Sequence, residues 1–268
     1  MKTYHFLAGL PRSGNTVLSS LLNQNPEIYS SPLSPVCGYM WDLHKSLNNR
    51  ETNFRNNFTS KNISVIANII DNFYYDIDKP IIFDREKSWG TPGNLEIIKK
   101  YITPSPKIIF TVRPILEVLA SFISLIPEDS LSYIDEDMAS SNWWYKEYLS
   151  RNENRCDYLM RPYGMIDQVM VSFNEIYKPS NKDIFHLVEY NNLINNPAEV
   201  MNGIYEFLDM KSYEHDFNNI VKLEEDKDSL VGMPKDMHTI RKQLSKISLP
   251  VERILSEYTI NKYGGITF

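Results

Sequence analysis

Short apolar runs alternate with longer stretches of helical period along this chain. Tyr4 to Ala8 is the first run, and it ends in Gly9-Leu10-Pro11-Arg12-Ser13-Gly14-Asn15. From Thr16 the period changes: Val17, Leu18, Leu21 and Leu22 share a helical face until Asn25-Pro26 stops it. Glu27 to Pro35 reads as a Ser- and Pro-rich loop, Val36 to Leu47 as a weak helix, Arg50 to Thr59 as exposed and polar, and Asn62 to Phe73 as an amphipathic helix on Ile63, Ile66, Ile69, Ile70 and Phe73. Lys79 to Asp84 is the next strand. Thr91-Pro92 then offers an N-cap with proline at the first helical position, opening a helix to Tyr101.

Pro106 to Val112 is near-continuously apolar, as a strand covered on both faces should be. Pro114 starts a helix on Ile115, Leu116, Val118, Leu119 and Phe122. Pro127 to Met138 reads as an acidic loop, and Ser141 to Leu149 brings together Trp143, Trp144, Tyr145 and Tyr148, which suit a core or an acceptor pocket. A helix from Ile166 to Tyr177, a strand from Asp183 to Glu189, a helix from Pro197 to Leu208 and a final helix from Val251 to Ile260 complete the pattern. Alternation of this kind predicts an α/β fold in one domain spanning 1–268, a central and largely parallel sheet flanked by helices, with ligands at the strands' carboxyl ends.

The loop after the first strand carries the chemistry. It leaves backbone N–H groups unpaired at the start of a helix, where the macrodipole favours an anion. Gly9, four residues, Gly14, Asn15 and Thr16 fit the Walker A spacing of a P-loop NTPase at every position except the lysine, where Asn15 stands. Arg12 supplies a cation instead. A P-loop nucleotide kinase or NTPase, with Thr16 and Asp84 on magnesium, is therefore one reading; a ligand other than ATP is the better one.

Pro11-Arg12-Ser13-Gly14-Asn15-Thr16 resembles the 5′-phosphosulfate loop of sulfotransferases, written P-[KR]-S-G-[TS]-T, which binds 3′-phosphoadenosine 5′-phosphosulfate (PAPS). Arg113 at a strand end, with Ser121 eight residues on, resembles the family's second signature, the pair that holds the cofactor's 3′-phosphate. A third stretch, HLVEYNNLINNPAEVMNGIYEFLDM, resembles the late strand-and-helix segment, with Tyr190, Leu193, Pro197, Phe207 and Leu208 at matching places. The resemblance covers residue 3 to about residue 210. It implies a P-loop-NTPase-like fold, metal-free transfer of a sulfuryl group to a hydroxyl or amine, and a cofactor site of Arg12, Ser13, Gly14, Asn15, Thr16, Val17, Arg113, Ser121 and Tyr190.

The family also folds a basic segment near its carboxyl terminus over the 3′-phosphate. Arg241 and Lys242, in the run from Asp236 to Lys246, match that expectation, with His238 behind them. The general base is open. Glu86 stands where many relatives have a histidine after the second strand, with Asp84 and His44 as reserves, and Arg12 is expected to stabilise charge on the bridging oxygen. A phosphonucleotide-binding module that lost its base is the non-enzymatic alternative.

Composition narrows the partners. A net charge of -6 over 268 residues argues against bulk nucleic-acid binding. No apolar run is long enough for a membrane anchor, and the first one passes into the loop rather than a cleavage site. Two cysteines, Cys37 and Cys156, are too few for a disulfide framework or a zinc site and point to the reducing cytoplasm. The acceptor is a small molecule, glycan or peptide that the sequence does not identify.

Overall fold

A computed structural model describes residues 2–49, 59–143, 145–223, 239–245 and 250–268. Trp144, His238 and residues 50–58 lie outside the described residues, as do residues 224–237 and 246–249. Among the described residues five strands form one sheet: β1 (Thr3–Gly9), β2 (Ile28–Leu33), β3 (Ile81–Arg85), β4 (Ile108–Val112) and β5 (Phe185–Glu189). Their order is β2-β3-β1-β4-β5, and every pairing is parallel. From β1 the chain goes to the edge at β2 and returns inward to β3, then crosses to β4 and β5 on the other side. That reversal opens a crevice at the carboxyl end of β1.

Strand parity sorts the core into two layers. Phe6 and Ala8 of β1, Ile82 of β3 and Phe110 of β4 face one side, where they pack on α2 (Val36–Asn48), α3 (Thr59–Phe73), α4 (Pro92–Ile97) and α5 (Ile115–Ile123). Leu7, Phe83, Ile109 and Val188 face the other, against Leu18, Leu21 and Leu22 of α1 (Asn15–Leu22). Each fully buried Leu or Phe contributes about 1.5–3 kcal/mol. The central strands are covered on both faces, hence their unbroken apolar sequence.

Five stretches differ from the sequence pattern. The stretch Glu27 to Pro35 holds edge strand β2, whose register on β3 slips between Ser30 and Leu33, around Pro32; proline is tolerated in sheets at such edges. The acidic stretch from Pro127 contains α6 (Tyr133–Ser140), started by a capping box between Ser132 and Asp135. Of the aromatics after it, Trp143 packs inward whereas Tyr145 and Tyr148 are 45% and 80% exposed, so these three do not line one pocket. Beyond α7 (Arg151–Leu159), the expected helix over Ile166 to Tyr177 is two short ones, α8 (Asp167–Met170) and α9 (Phe173–Ile176). After β5 come α10 (Tyr190–Asn195) and α11 (Pro197–Phe207); the last expected helix is likewise split, into α12 (Val251–Ile254) and α13 (Glu257–Tyr263).

Candidate functional site

The loop between β1 and α1 is held open by backbone that side chains rarely permit. Gly9 has φ 137°, Arg12 φ 61° and Gly14 φ 93°. A Cβ on Gly9 would lie 2.3–2.5 Å from Thr111 atoms, so β4 can approach only because no side chain is there. Gly14, the N-cap of α1, has no side chain to close off the helix's first N–H groups. Ser13 turns its hydroxyl inward, donating to the Leu10 carbonyl and sharing a hydrogen bond with Thr111 Oγ1. Asn15 Nδ2 also donates to the Leu10 carbonyl, at 3.1 Å, leaving Asn15 Oδ1 buried without a partner. Val17 packs partly into the α1-side core. Of this loop, the side chain that reaches across the crevice is Arg12.

Arg12 Nε donates to Ser121 Oγ at 3.1 Å, and Arg113 donates to the Arg12 carbonyl at 3.0 Å. The three residues singled out from two separate motifs therefore meet. Arg113, one residue past β4, lies with its guanidinium 4.1 Å from the centroid of the Tyr190 ring and pairs with Glu117 at 3.1 Å. Tyr190 in turn is close to Gly14, where a Cβ would come within 3.0 Å of its ring. Glu117 was not among the sequence candidates, although its i,i+4 spacing from Arg113 is a readable signal. Its other oxygen takes a long hydrogen bond from Asn191, 3.4 Å.

The end of β3 looks different. Asp84 is 0% exposed and accepts from Ser34 Oγ (2.6 Å), Tyr74 OH (2.7 Å) and Trp89 Nε1 (2.7 Å). Burial raises its pKa, against the pull of those three donors. Asp84 is thus enclosed in the α2–α4 layer, which removes it as a reserve base. Arg85 points to the opposite layer and donates to Thr16 Oγ1 at 3.0 Å. Glu86, the first residue past the strand, is half-buried, bonded through its backbone to the Leu7 carbonyl and through Oε1 to Ser88; the next residue, Lys87, accepts from the N–H of Gly9. Glu86 therefore stands at the rim of the loop.

His44 is also taken out of the site. It lies eight residues into α2, about 12 Å along the axis, and its Nδ1 is 2.9 Å from the hydroxyl of Tyr101, which leads into the amino end of β4. Burial lowers its pKa. Arg241 and Lys242 are not brought to the loop among the described residues: Arg241 donates to Ser245, and the Lys242 carbonyl accepts from Ile220. That segment lies along the α1-side core through Ile240 and Leu244.

A model of the sulfotransferase family matches residues 5–215. No curated protein matches the chain in sequence. Among the solved structures that share its fold are three sulfotransferases. The sulfotransferase domain from the Synechococcus PCC 7002 olefin synthase is 19% identical, with a TM-score of 0.54 over 100% of this chain and 89% of that one. The sulfotransferase domain from the curacin biosynthetic pathway is 15% identical, TM-score 0.52, over 100% and 93%. A sulfotransferase from Alicyclobacillus acidocaldarius is 12% identical, TM-score 0.50, over 86% and 88%.

Proposed function

Because the chain belongs to the sulfotransferase family, we propose that it moves a sulfuryl group from PAPS to a hydroxyl or amine acceptor by in-line displacement. The observation that carries the reading is the meeting of Arg12, Ser121 and Arg113 beside a loop opened by Gly9 and Gly14. Arg12 and Arg113 bring two guanidinium groups to the loop, with Glu117 paired to Arg113, an arrangement that suits a ligand carrying phosphates at two places. The residues present fit the group.

In this reading the backbone of Arg12, Ser13, Gly14, Asn15, Thr16 and Val17 holds the 5′-phosphosulfate, and Arg113 with Ser121 holds the 3′-phosphate. Tyr190 keeps the Arg113 plane in place. The bound sulfonucleotide supplies the sulfuryl group and the phosphate oxygen that leaves with the electron pair of the broken S–O bond. Arg12 stabilises the charge that gathers on that oxygen. Glu86 takes the proton of the acceptor as its oxygen or nitrogen bonds to sulfur. Arg241 and Lys242 have a place in cofactor binding only if their segment moves from its packing on Ile220. The reaction belongs in the cytoplasm, where Cys37 and Cys156 stay reduced thiols.

A magnesium-dependent kinase is the weaker reading. Thr16 Oγ1 is met by the Arg85 guanidinium, and Asp84 faces the other layer. Thermal melting separates the two: adenosine 3′,5′-bisphosphate should raise the melting temperature well above any rise from magnesium-ATP at equal concentration. Equal or larger shifts with magnesium-ATP would favour the kinase. Nucleotide binding with no transfer to any acceptor would favour the non-catalytic module.

A further inference from the structure

The polar side chains of the loop and the first turn of α1 are not all used alike. Ser13 and Asn15 spend their donors inside the protein, both on the Leu10 carbonyl. Thr16, the second residue of α1, does the reverse, because its hydroxyl oxygen accepts from Arg85 Nη1 at 3.0 Å. A hydroxyl has one proton to give and two lone pairs to fill, and a guanidinium can only donate. The contact therefore occupies a lone pair and leaves the proton. In a helix interior that proton often turns back to the carbonyl four residues earlier, but here that carbonyl is Arg12's, ahead of the helix, and it accepts from Arg113. Among the described residues the Thr16 hydroxyl donates to none.

Arg85 is firmly placed to hold this contact. It is the last residue of β3 and 5% exposed, its N–H donates to Ser31 Oγ, and its carbonyl accepts from Ser34. Both neighbouring strands pair at this residue, β1 through Leu7 and β2 through Leu33. A cation kept that far from water is costly unless its contacts compensate, and a charged donor polarises the hydroxyl it meets, which makes that hydroxyl the better donor in turn. Two destinations suit the proton. One is a water in the polar cavity of about 20 Å³ that Thr16 and Arg85 share with Ser19, Ser20 and Ser30, room for one molecule. The other is an oxygen of an anion held where the N–H groups of α1 begin. An anionic oxygen is the stronger acceptor.

We propose that Arg85 is a positioning residue: by filling a lone pair of Thr16 it directs the threonine proton at an anionic oxygen on the 5′ side of the bound nucleotide. The inference rests on the sulfonucleotide reading for the identity of the ligand. Its test is a double-variant cycle of Thr16→Val, Arg85→Met and the two combined, read by calorimetry with adenosine 3′,5′-bisphosphate and with adenosine 3′-monophosphate, which lacks the 5′-phosphate. Arg85→Gln, which falls short of Thr16, takes the place of Arg85→Met if ligand-free melting shows that the latter does not fold. Each single variant should bind the bisphosphate about tenfold more weakly, and the combined one no more weakly than Thr16→Val, since Arg85 acts through that hydroxyl. The 3′-monophosphate should bind every variant as it binds wild type. Losses that multiply in the combined variant, or that the 3′-monophosphate shares, overturn the proposal, and so does unchanged bisphosphate binding by Thr16→Val. A wild-type chain that binds the bisphosphate no better than the 3′-monophosphate, or binds neither, sinks the sulfonucleotide reading instead. The same cycle read with inorganic sulfate then decides for Arg85, and sulfate binding that is absent, or unchanged across the variants, overturns this proposal too.

Discussion

The carboxyl ends of β3 and β4 flank the same central strand, and both deliver charged side chains, yet they use them differently. At β4 the charge comes one residue past the strand, as Arg113, and it meets Arg12 at the loop. At β3 the charges Asp84 and Arg85 lie inside the strand, and pleating sends them into opposite layers: Asp84 to Ser34, Tyr74 and Trp89, Arg85 to Thr16. The first residue past β3 is Glu86. A residue within a strand answers to a layer, whereas the residue just beyond it is free to face the crevice. By that measure Glu86, not Asp84, is the counterpart of Arg113.

The sharpest way to break the comparison is to remove each carboxylate in turn. Glu86→Gln should lower turnover by about 10² to 10⁴, the scale of a positioned base, with affinity for adenosine 3′,5′-bisphosphate nearly unchanged. Single-turnover kinetics on any acceptor the enzyme accepts reads this. Wild-type turnover in Glu86→Gln would dissolve the equivalence with Arg113. Asp84→Ala should instead act on folding. It strands three buried donors, at a cost of about 3 kcal/mol, which is below the simple sum because a buried carboxylate is itself expensive. Denaturant unfolding measures it, and full stability with lost turnover would return Asp84 to the mechanism.

How much of this was legible in the sequence follows from the same contrast. The central strands β1, β3 and β4 were readable because a strand covered on both faces is written as an apolar run, and edge strand β5 was readable from its short apolar run although Leu187 is 40% exposed. Edge strand β2 was not, since Ser30 and Ser31 are spent on polar contacts with α1 and β3 and Pro32 reads as a breaker. Helix α6 hid behind its acidic residues, although Ser132-x-x-Asp135 and the Ile134, Met138 pair were signals on the page. In the site, Arg12, Arg113 and Ser121 were singled out by the resemblance of two separate motifs, but their contacts with one another were not foreseen. Asp84 was read as a strand-end candidate, whereas β3 runs on to Arg85, two residues past the apolar Ile81-Ile82-Phe83, and nothing in the sequence tells which of these neighbours falls inside the strand.

The smaller effects sharpen the β4 end, where two changes within one ion pair should have opposite signs. Arg113→Ala should weaken adenosine 3′,5′-bisphosphate about tenfold to a hundredfold, the range of a charged hydrogen bond, and barely change adenosine 5′-phosphosulfate. Glu117 pairs with the same guanidinium, only 3.1 Å away and partly exposed, so its carboxylate competes with an incoming phosphate for Arg113 and repels it. Glu117→Gln keeps an acceptor for Arg113 Nε and removes the charge. With Arg113 buried and Glu117 partly exposed, the competing charge is worth up to about 1 kcal/mol, so the bisphosphate should bind about threefold more tightly, the gain shrinking as salt rises, while the 5′-phosphosulfate is unaffected. Calorimetry with both ligands at two salt concentrations checks it. Weaker binding of the bisphosphate to Glu117→Gln would mean that the carboxylate's main work is to aim Arg113 at the ligand, and the β4 end would then depend on built-in hydrogen bonding as much as the β3 end does.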